Sequence, residues 1–219
     1  MIRAVLFDMD GVLVDSEPFH DEVNLILLRR FGVEADQSVT NPFIGRTSEA
    51  LWTAMKERFS LPLPVPELIE LQWQTALTNL PDSGLAPSSG LIELIAHLRT
   101  HGIRMTVASS SRGSFVKAML RHLGIWDDME GFTCGEEPEH GKPAPDIFLL
   151  AASKIGMTPD HCLVIEDSTA GVAAGRGAGM FTVGYRNPTS DGQDVSAANR
   201  VVDDLSGVIA IIDECNHDG

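Results

Sequence analysis

What this sequence has little of narrows its function first. None of its apolar runs approaches the ~18–20 residues that cross a bilayer as a helix, so no membrane partner is expected. Its first residues lack the charged, apolar and small-residue succession that directs secretion, and a cytoplasmic protein is expected. Only three cysteines occur in 219 residues, Cys134, Cys162 and Cys215. They lie far apart and show no CxxC or Cys/His spacing, so neither a disulfide framework nor a zinc site is indicated. Cations are scarce: 16 Lys and Arg stand against 31 Asp and Glu, a net charge of −15 at pH 7. That field repels a phosphate backbone, which argues against a nucleic-acid partner. Between Ser60 and Ala96 there is no Lys or Arg at all. Internal repeats are absent too, which removes a repeat array.

What remains is an ordinary globular composition, 43% hydrophobic and 21% charged, in a length suited to one domain with a smaller module inserted. Short apolar runs at residues 3–8, 104–108, 162–165, 180–183 and, more weakly, 200–202 read as buried strands. Helical patterns at 114–123, 145–155 and 168–178 each stop at a glycine, Gly124, Gly156 and Gly179. Strand alternating with helix predicts an α/β fold around a parallel sheet. Residues 16–83 break that rhythm with apolar spacings of three and four at 22–31, 48–59 and 67–80, as in amphipathic helices. A helical insertion at 16–83 is therefore expected within a core formed by 1–15 and 84–219. The polar residues 214–219 are expected to fray.

The strongest chemical signal is Asp8-Met9-Asp10-Gly11-Val12, two carboxylates delivered at the end of the first strand, where ligands of open parallel sheets bind. The pair reads as a nucleophile, Asp8, beside a proton donor and acceptor, Asp10, with Mg²⁺ shared by Asp8, the Asp10 carbonyl and a more distant acid. An acidic loop or a simple cation site would show the same residues. Later strand ends add what phosphoryl transfer needs. Ser109-Ser110-Ser111 offers hydroxyls and N–H groups for phosphate oxygens, or else a helix cap. Lys142 stands alone among Glu136, Glu137 and Glu139, as a charge neutraliser or as a solvated lysine. Glu166 and Asp167 precede a helix, as metal ligands or as its cap. Four such groups, each at a strand end and in this order, are far more specific together than singly.

In this combination the chain resembles the haloacid dehalogenase superfamily of aspartate-nucleophile phosphatases, on Asp8-Met9-Asp10-Gly11-Val12, Val107-Ala108-Ser109, Lys142-Pro143-Ala144-Pro145-Asp146 and Val164-Ile165-Glu166-Asp167-Ser168-Thr169-Ala170-Gly171. It is most similar to the branch containing β-phosphoglucomutase and small sugar-phosphate phosphatases. The resemblance implies a Rossmann-like parallel sheet core with an inserted α-helical cap, a Mg²⁺ cofactor and a covalent aspartyl-phosphate. It implies Asp8, Asp10, Ser109 and Lys142 as catalytic groups, and Asp8, Asp10, Glu166 and Asp167 at the metal. Asp10 favours transfer from an alcohol phosphate over dehalogenation, because an alkoxide leaving group needs an acid and a halide does not.

The resemblance also bears on the choice between phosphatase and mutase. A mutase of this branch grips a second phosphate with an Arg and a Lys of the cap. Those positions fall here on Ser48 and near Leu71, with Arg46 two residues before Ser48. The same cation gap disfavours an imine-forming cap lysine. The expected activity is therefore that of a phosphoric monoester hydrolase acting on a small phosphorylated metabolite, with a phosphosugar mutase as the alternative. His20, Arg46, Ser110 and Ser111 are candidate substrate-binding residues; His20 and Arg46 could equally be solvated, and Trp52 and Trp73 are expected to pack the cap. Receiver domains of signalling proteins also join an aspartate, a hydroxyl and a lysine on a parallel sheet, but they lack a helical insertion after the first strand. A monomer is the default expectation.

Overall fold

The computed structural model describes residues 1–43, 47–190 and 192–217. The chain forms two compact units, one of Met1–Asp15 with Ala86–Gly219 and one of Ser16–Leu85. Arg46 and Gly45 lie outside the described residues.

The first unit is built on six parallel strands: β1 (Ala4–Phe7), β2 (Arg104–Ala108), β3 (Phe132–Thr133), β4 (Cys162–Glu166), β5 (Phe181–Tyr185) and β6 (Arg200–Val202). Their order across the sheet is β3-β2-β1-β4-β5-β6, a Rossmann-like α/β arrangement. All four residues of β1 are buried, as an apolar run must be when it has neighbours on both sides and helices above and below. Helices follow the strands: α4 (Leu91–Thr100) before β2, then α5 (Gly113–His122), α6 (Asp146–Lys154), α7 (Thr169–Gly177) and α8 (Gly207–His217). Alternation splits β1 between two faces. Ala4 and Leu6 join Val164, Phe148, Ala151 and Ala174 in one apolar layer, where the alanines of α6 and α7 let the helices approach closely.

Register carries the fold to the site. Phe7 pairs with Val107 on one side and with Ile165 on the other. The next residues, Asp8, Ala108 and Glu166, therefore emerge at one level, with Ser109 and Asp167 one step beyond. The reversal of strand order falls between β1 and β4, the place where open α/β sheets bind ligands.

Two outcomes differ from expectation in this unit. Helices α4 and α8 form where no helix was expected, on Leu91, Leu94, Ile95 and Leu98 and on Val208, Ile211 and Ile212. Residues 214–217 are the end of α8 rather than a frayed tail. The Asn216 side chain accepts from the Ile2 N–H at 2.6 Å and donates to the Ile2 carbonyl at 3.2 Å, anchoring that end beside β1.

The second unit packs α1 (Glu17–Arg30), α2 (Ser48–Phe59) and α3 (Val65–Asn79) around Leu27, Leu28, Trp52, Met55 and Leu68. The first helix starts five residues before the expected position, because Pro18 sits in its first turn, where a missing N–H costs nothing. Thr47 caps α2 by accepting from the Ala50 N–H. Trp52 is fully buried and donates to Gln72, which donates to Asn24, so these three buried polar side chains are paired in a chain.

Candidate active site

At the carboxyl end of β1, Asp8 is held by its own N–H, which donates to the Ile165 carbonyl at 3.0 Å. Gly11 then turns the chain with φ +86°, a conformation that favours glycine. A β-carbon there would also stand 2.0 Å from Asp167 Oδ2, so only glycine lets the turn approach the end of β4.

The loop after β3 brings Lys142 in from sequence-distant positions. Its Nζ donates to Asp8 Oδ1 at 2.5 Å, to Glu166 Oε1 at 2.6 Å and to the Ala108 carbonyl at 3.2 Å. It also lies 5.0 Å from the Phe148 ring centre. The lysine thus touches the ends of three neighbouring strands at once. Burial alone would lower its pKa, but Asp8 and Glu166 hold the ammonium charged, with its pKa above the ordinary lysine value.

Glu166 is completely buried. Its second oxygen, Oε2, accepts from the Ser168 N–H at 3.0 Å and the Ser168 hydroxyl at 2.9 Å. Ser168 is also the N-cap of α7, accepting from Gly171 N–H. Asp167 accepts from the Ser190 hydroxyl at 2.5 Å. Burial first, then the charge of Glu166, pushes Asp167 up to about 7. Asp8 is raised well above the usual carboxylate range, chiefly by burial, against the pull of Lys142 and with the repulsion of Glu166, Asp167 and Asp10.

Asp10 faces the end of β2. Its Oδ2 accepts from Ser111 Oγ at 2.7 Å and, more loosely, from Ser109 Oγ at 3.4 Å, and Ser109 Oγ in turn accepts from the Ser111 N–H. Among the described residues, the acids that could hold a metal ion are Asp8, Glu166 and Asp167, all buried and with ligand atoms within 4.8 Å of one another. The Asp10 carboxylate is not in that group.

The structure therefore gathers Asp8, Asp10, Ser109, Lys142, Glu166 and Asp167, all anticipated from sequence. Ser111 joins them through its bond to Asp10. Neither Ser110 nor Ser111 caps α5, whose N-cap is Arg112; Ser110 is exposed. His20 belongs to the helical unit, where its ring stands edge-on to Trp73 at 6.1 Å. Trp52 is wholly buried there, as expected, whereas Trp73 is half-buried. Two partners were missed. Ser168 could have been found two residues after Glu166, at a helix start. Ser190 lies 23 residues from Asp167 in a polar loop, where one serine is indistinguishable from its neighbours.

A Rossmann-like sheet with paired aspartates after its first strand, a lysine bridge and an acidic pair at the switch point defines an α/β enzyme whose buried acids could hold a metal ion. Residues 2–179 match the family model described as haloacid dehalogenase-like hydrolase, and the chain belongs to that family. It is 31% identical over 211 residues to a probable pseudouridine-5'-phosphatase from Drosophila melanogaster, covering 94% of this chain and 90% of that protein. It is 30% identical over 217 residues to a beta-phosphoglucomutase from Bacillus subtilis, covering 92% and 89%. In fold it is similar to CbbY from Rhodobacter sphaeroides, solved with phosphate, at a TM-score of 0.85 and 24% identity, covering 95% of this chain and 96% of that one. No helix among the described residues is long and apolar enough to cross a membrane.

Proposed function

We propose that the protein, a phosphoric monoester hydrolase of the haloacid dehalogenase-like family, hydrolyses a small phosphorylated metabolite, a sugar phosphate in the first instance, through a phosphorylated Asp8. The observation that carries this reading is the joining of Asp8 and Glu166 by one buried ammonium while Asp10, two residues on, is held by serine hydroxyls. Asp8 attacks phosphorus in line, forming an acyl phosphate as the bond to the substrate's alkoxide oxygen breaks, and Asp10 gives that oxygen its proton. Asp10 then takes a proton from the water that attacks the phosphorus, which releases inorganic phosphate and regenerates Asp8. Lys142 and Ser109 offset the charge on the phosphoryl oxygens.

The acid cluster fits a divalent cation. Three buried carboxylates face one ammonium, and burial first, with the repulsion of the neighbouring acids added to it, pushes Asp8 and Asp167 up. An all-oxygen donor set suits Mg²⁺. Asp8, Asp167 and the Asp10 carbonyl would hold it. Glu166, expected from sequence as a ligand, has both oxygens engaged by Lys142 and Ser168, which favours a role in orienting the lysine. The ion, when bound, supplies charge neutralisation at the phosphate.

The helical unit is assigned the part of a cap that sets substrate choice, with His20 and Arg46 as its candidate readers. The absence of Lys and Arg between Ser60 and Ala96 favours hydrolysis over a mutase, which must grip a second phosphate. The mutase reading rests on the identity to the Bacillus subtilis enzyme. Phosphorus NMR of the protein with Mg²⁺, β-glucose 1-phosphate and a trace of glucose 1,6-bisphosphate, beside an Asp8→Asn control, tests the choice. Inorganic phosphate formed only by the wild type supports hydrolysis. Glucose 6-phosphate without inorganic phosphate overturns it in favour of the mutase.

A further inference from the structure

The segment that follows β5 lies outside all four sequence motifs, yet it touches the acid cluster. Strand β5 pairs with β4 so that Gly184 stands beside Glu166, and the chain leaving β5 passes Asp167. It is pinned there by a series of short-range bonds. Asn187 N–H donates to the Tyr185 carbonyl, Ser190 N–H donates to the Asn187 carbonyl, and Thr189 N–H donates to Asn187 Oδ1. The Thr189 hydroxyl reaches back to Asp15 Oδ1 at 2.6 Å. Gln193 accepts from the N–H of Thr169, the first residue of α7, and Asp194 N–H donates to the Thr169 hydroxyl. A loop fastened at both ends therefore presents one hydroxyl, Ser190 Oγ, to Asp167 Oδ2.

That carboxylate oxygen is confined from two sides. Ser190 donates to it at 2.5 Å, and the turn at Gly11 approaches it so closely that a β-carbon would sit 2.0 Å away. A carboxylate with Oδ2 held in this way has Oδ1 to offer to a cation beside Asp8 and Glu166. Hydrogen bonds of this kind orient metal-ligating carboxylates and raise their effective affinity by removing rotamers that do not ligate.

We propose that Ser190 is a positioning residue for the divalent-cation site, locking Asp167 through Oδ2 so that Oδ1 ligates. This rests on the reading of Asp8 and Asp167 as cation ligands. In this role Ser190 acts through Asp167, to which its hydroxyl donates. A cavity of about 260 Å3 has both Asp167 and Ser190 in its wall.

The test is cation affinity, read without turnover. Mn²⁺ is titrated into the full chain, and the free-ion signal is followed by electron paramagnetic resonance for wild type, Asp167→Asn, Ser190→Ala, Ser190→Thr and Thr189→Ala, with thermal melts as folding controls. Ser190→Ala should weaken Mn²⁺ binding by about tenfold or more, and Ser190→Thr, which keeps the hydroxyl, should restore most of the loss. Thr189→Ala should have a smaller effect than Ser190→Ala, because it loosens the loop and leaves the donor to Asp167. In turnover, the Mg²⁺ concentration for half-maximal rate should rise in Ser190→Ala while the substrate KM stays near wild type. Unchanged Mn²⁺ affinity in Ser190→Ala, or equal losses in Ser190→Ala and Thr189→Ala, overturns the proposal and leaves the cation site standing. Wild-type binding that Asp167→Asn does not weaken overturns the ligand assignment itself, and the role of Ser190 with it.

Discussion

Lys142 Nζ lies 2.6 Å from Glu166 Oε1, and Glu166 has no exposed surface. A buried carboxylate is tolerated only when its charge is answered, so the lysine's part in folding and its proposed part in the chemistry rest on the same atoms.

Lys142→Ala should therefore fail in two separable ways. Turnover should fall about 10²–10³-fold, the cost of removing one preorganised donor from a sheltered site. Stability in EDTA, read by urea unfolding, should fall by about 3–5 kcal/mol, because Asp8 and Glu166 are left without their cation. Adding Glu166→Gln should recover part of the stability and none of the turnover. A double variant as unstable as the single one would show that the pairing is not the cause.

Asp10 carries the proton in the proposed reaction, so the penalty for losing it depends on the leaving group. With an alkyl phosphate such as glycerol phosphate, Asp10→Asn should lower kcat/KM by about 10²–10⁴-fold. With p-nitrophenyl phosphate, whose phenolate departs without an acid, the loss should be smaller. Equal losses on both substrates would remove Asp10 from the leaving-group step.

Burial, followed by the charge of Glu166, moves Asp167 from 3.8 to about 7, and Asp8 is shifted in the same direction. Asp167 therefore binds more protons in the folded chain than in the unfolded one between about pH 4 and 7, and Asp8 acts in the same direction. Their contribution to stability is therefore lost as pH rises through that window. In EDTA the melting temperature should fall from pH 5 to pH 7.5, Asp167→Asn should flatten the fall, and millimolar Mg²⁺ should offset it at the upper end. A wild-type slope that Asp167→Asn leaves intact would place its origin elsewhere.

In the helical unit, Gln72 is the middle link between Trp52 Nε1 at 3.1 Å and Asn24 Oδ1 at 2.9 Å. Gln72→Met fits the space and leaves two buried polar atoms unpaired, at about 1–3 kcal/mol each. The loss should appear in equilibrium unfolding, and Asn24→Ala added to Gln72→Met should cost less than the sum of the two, because an acceptor left without a donor has been removed.

The strands and the paired aspartates were legible in the sequence because their signals are local. The run 104–108 matches β2 residue for residue, and the helix at 48–59 matches α2, since apolar periodicity reports which faces are buried. The apolar spacing in 91–98 carries the same kind of signal, so α4 lies within reach of the sequence. Gly11, Ser168 and the Glu166-Asp167 pair were likewise in view, next to the strand ends that give them meaning.

Pairings across distance were not legible. Lys142 meets Asp8 across 134 positions, Asn216 meets Ile2 across 214, and Ser190 meets Asp167 across 23. No local pattern marks any of these, because each partner is chosen by strand order, register and the path of a loop. Glu166 shows the division most clearly. The sequence by itself determined that an acid stands at the end of β4; only the tertiary structure decided that its oxygens face a lysine and a serine, because both partners arrive from chain segments whose positions are set by the packing of the whole sheet.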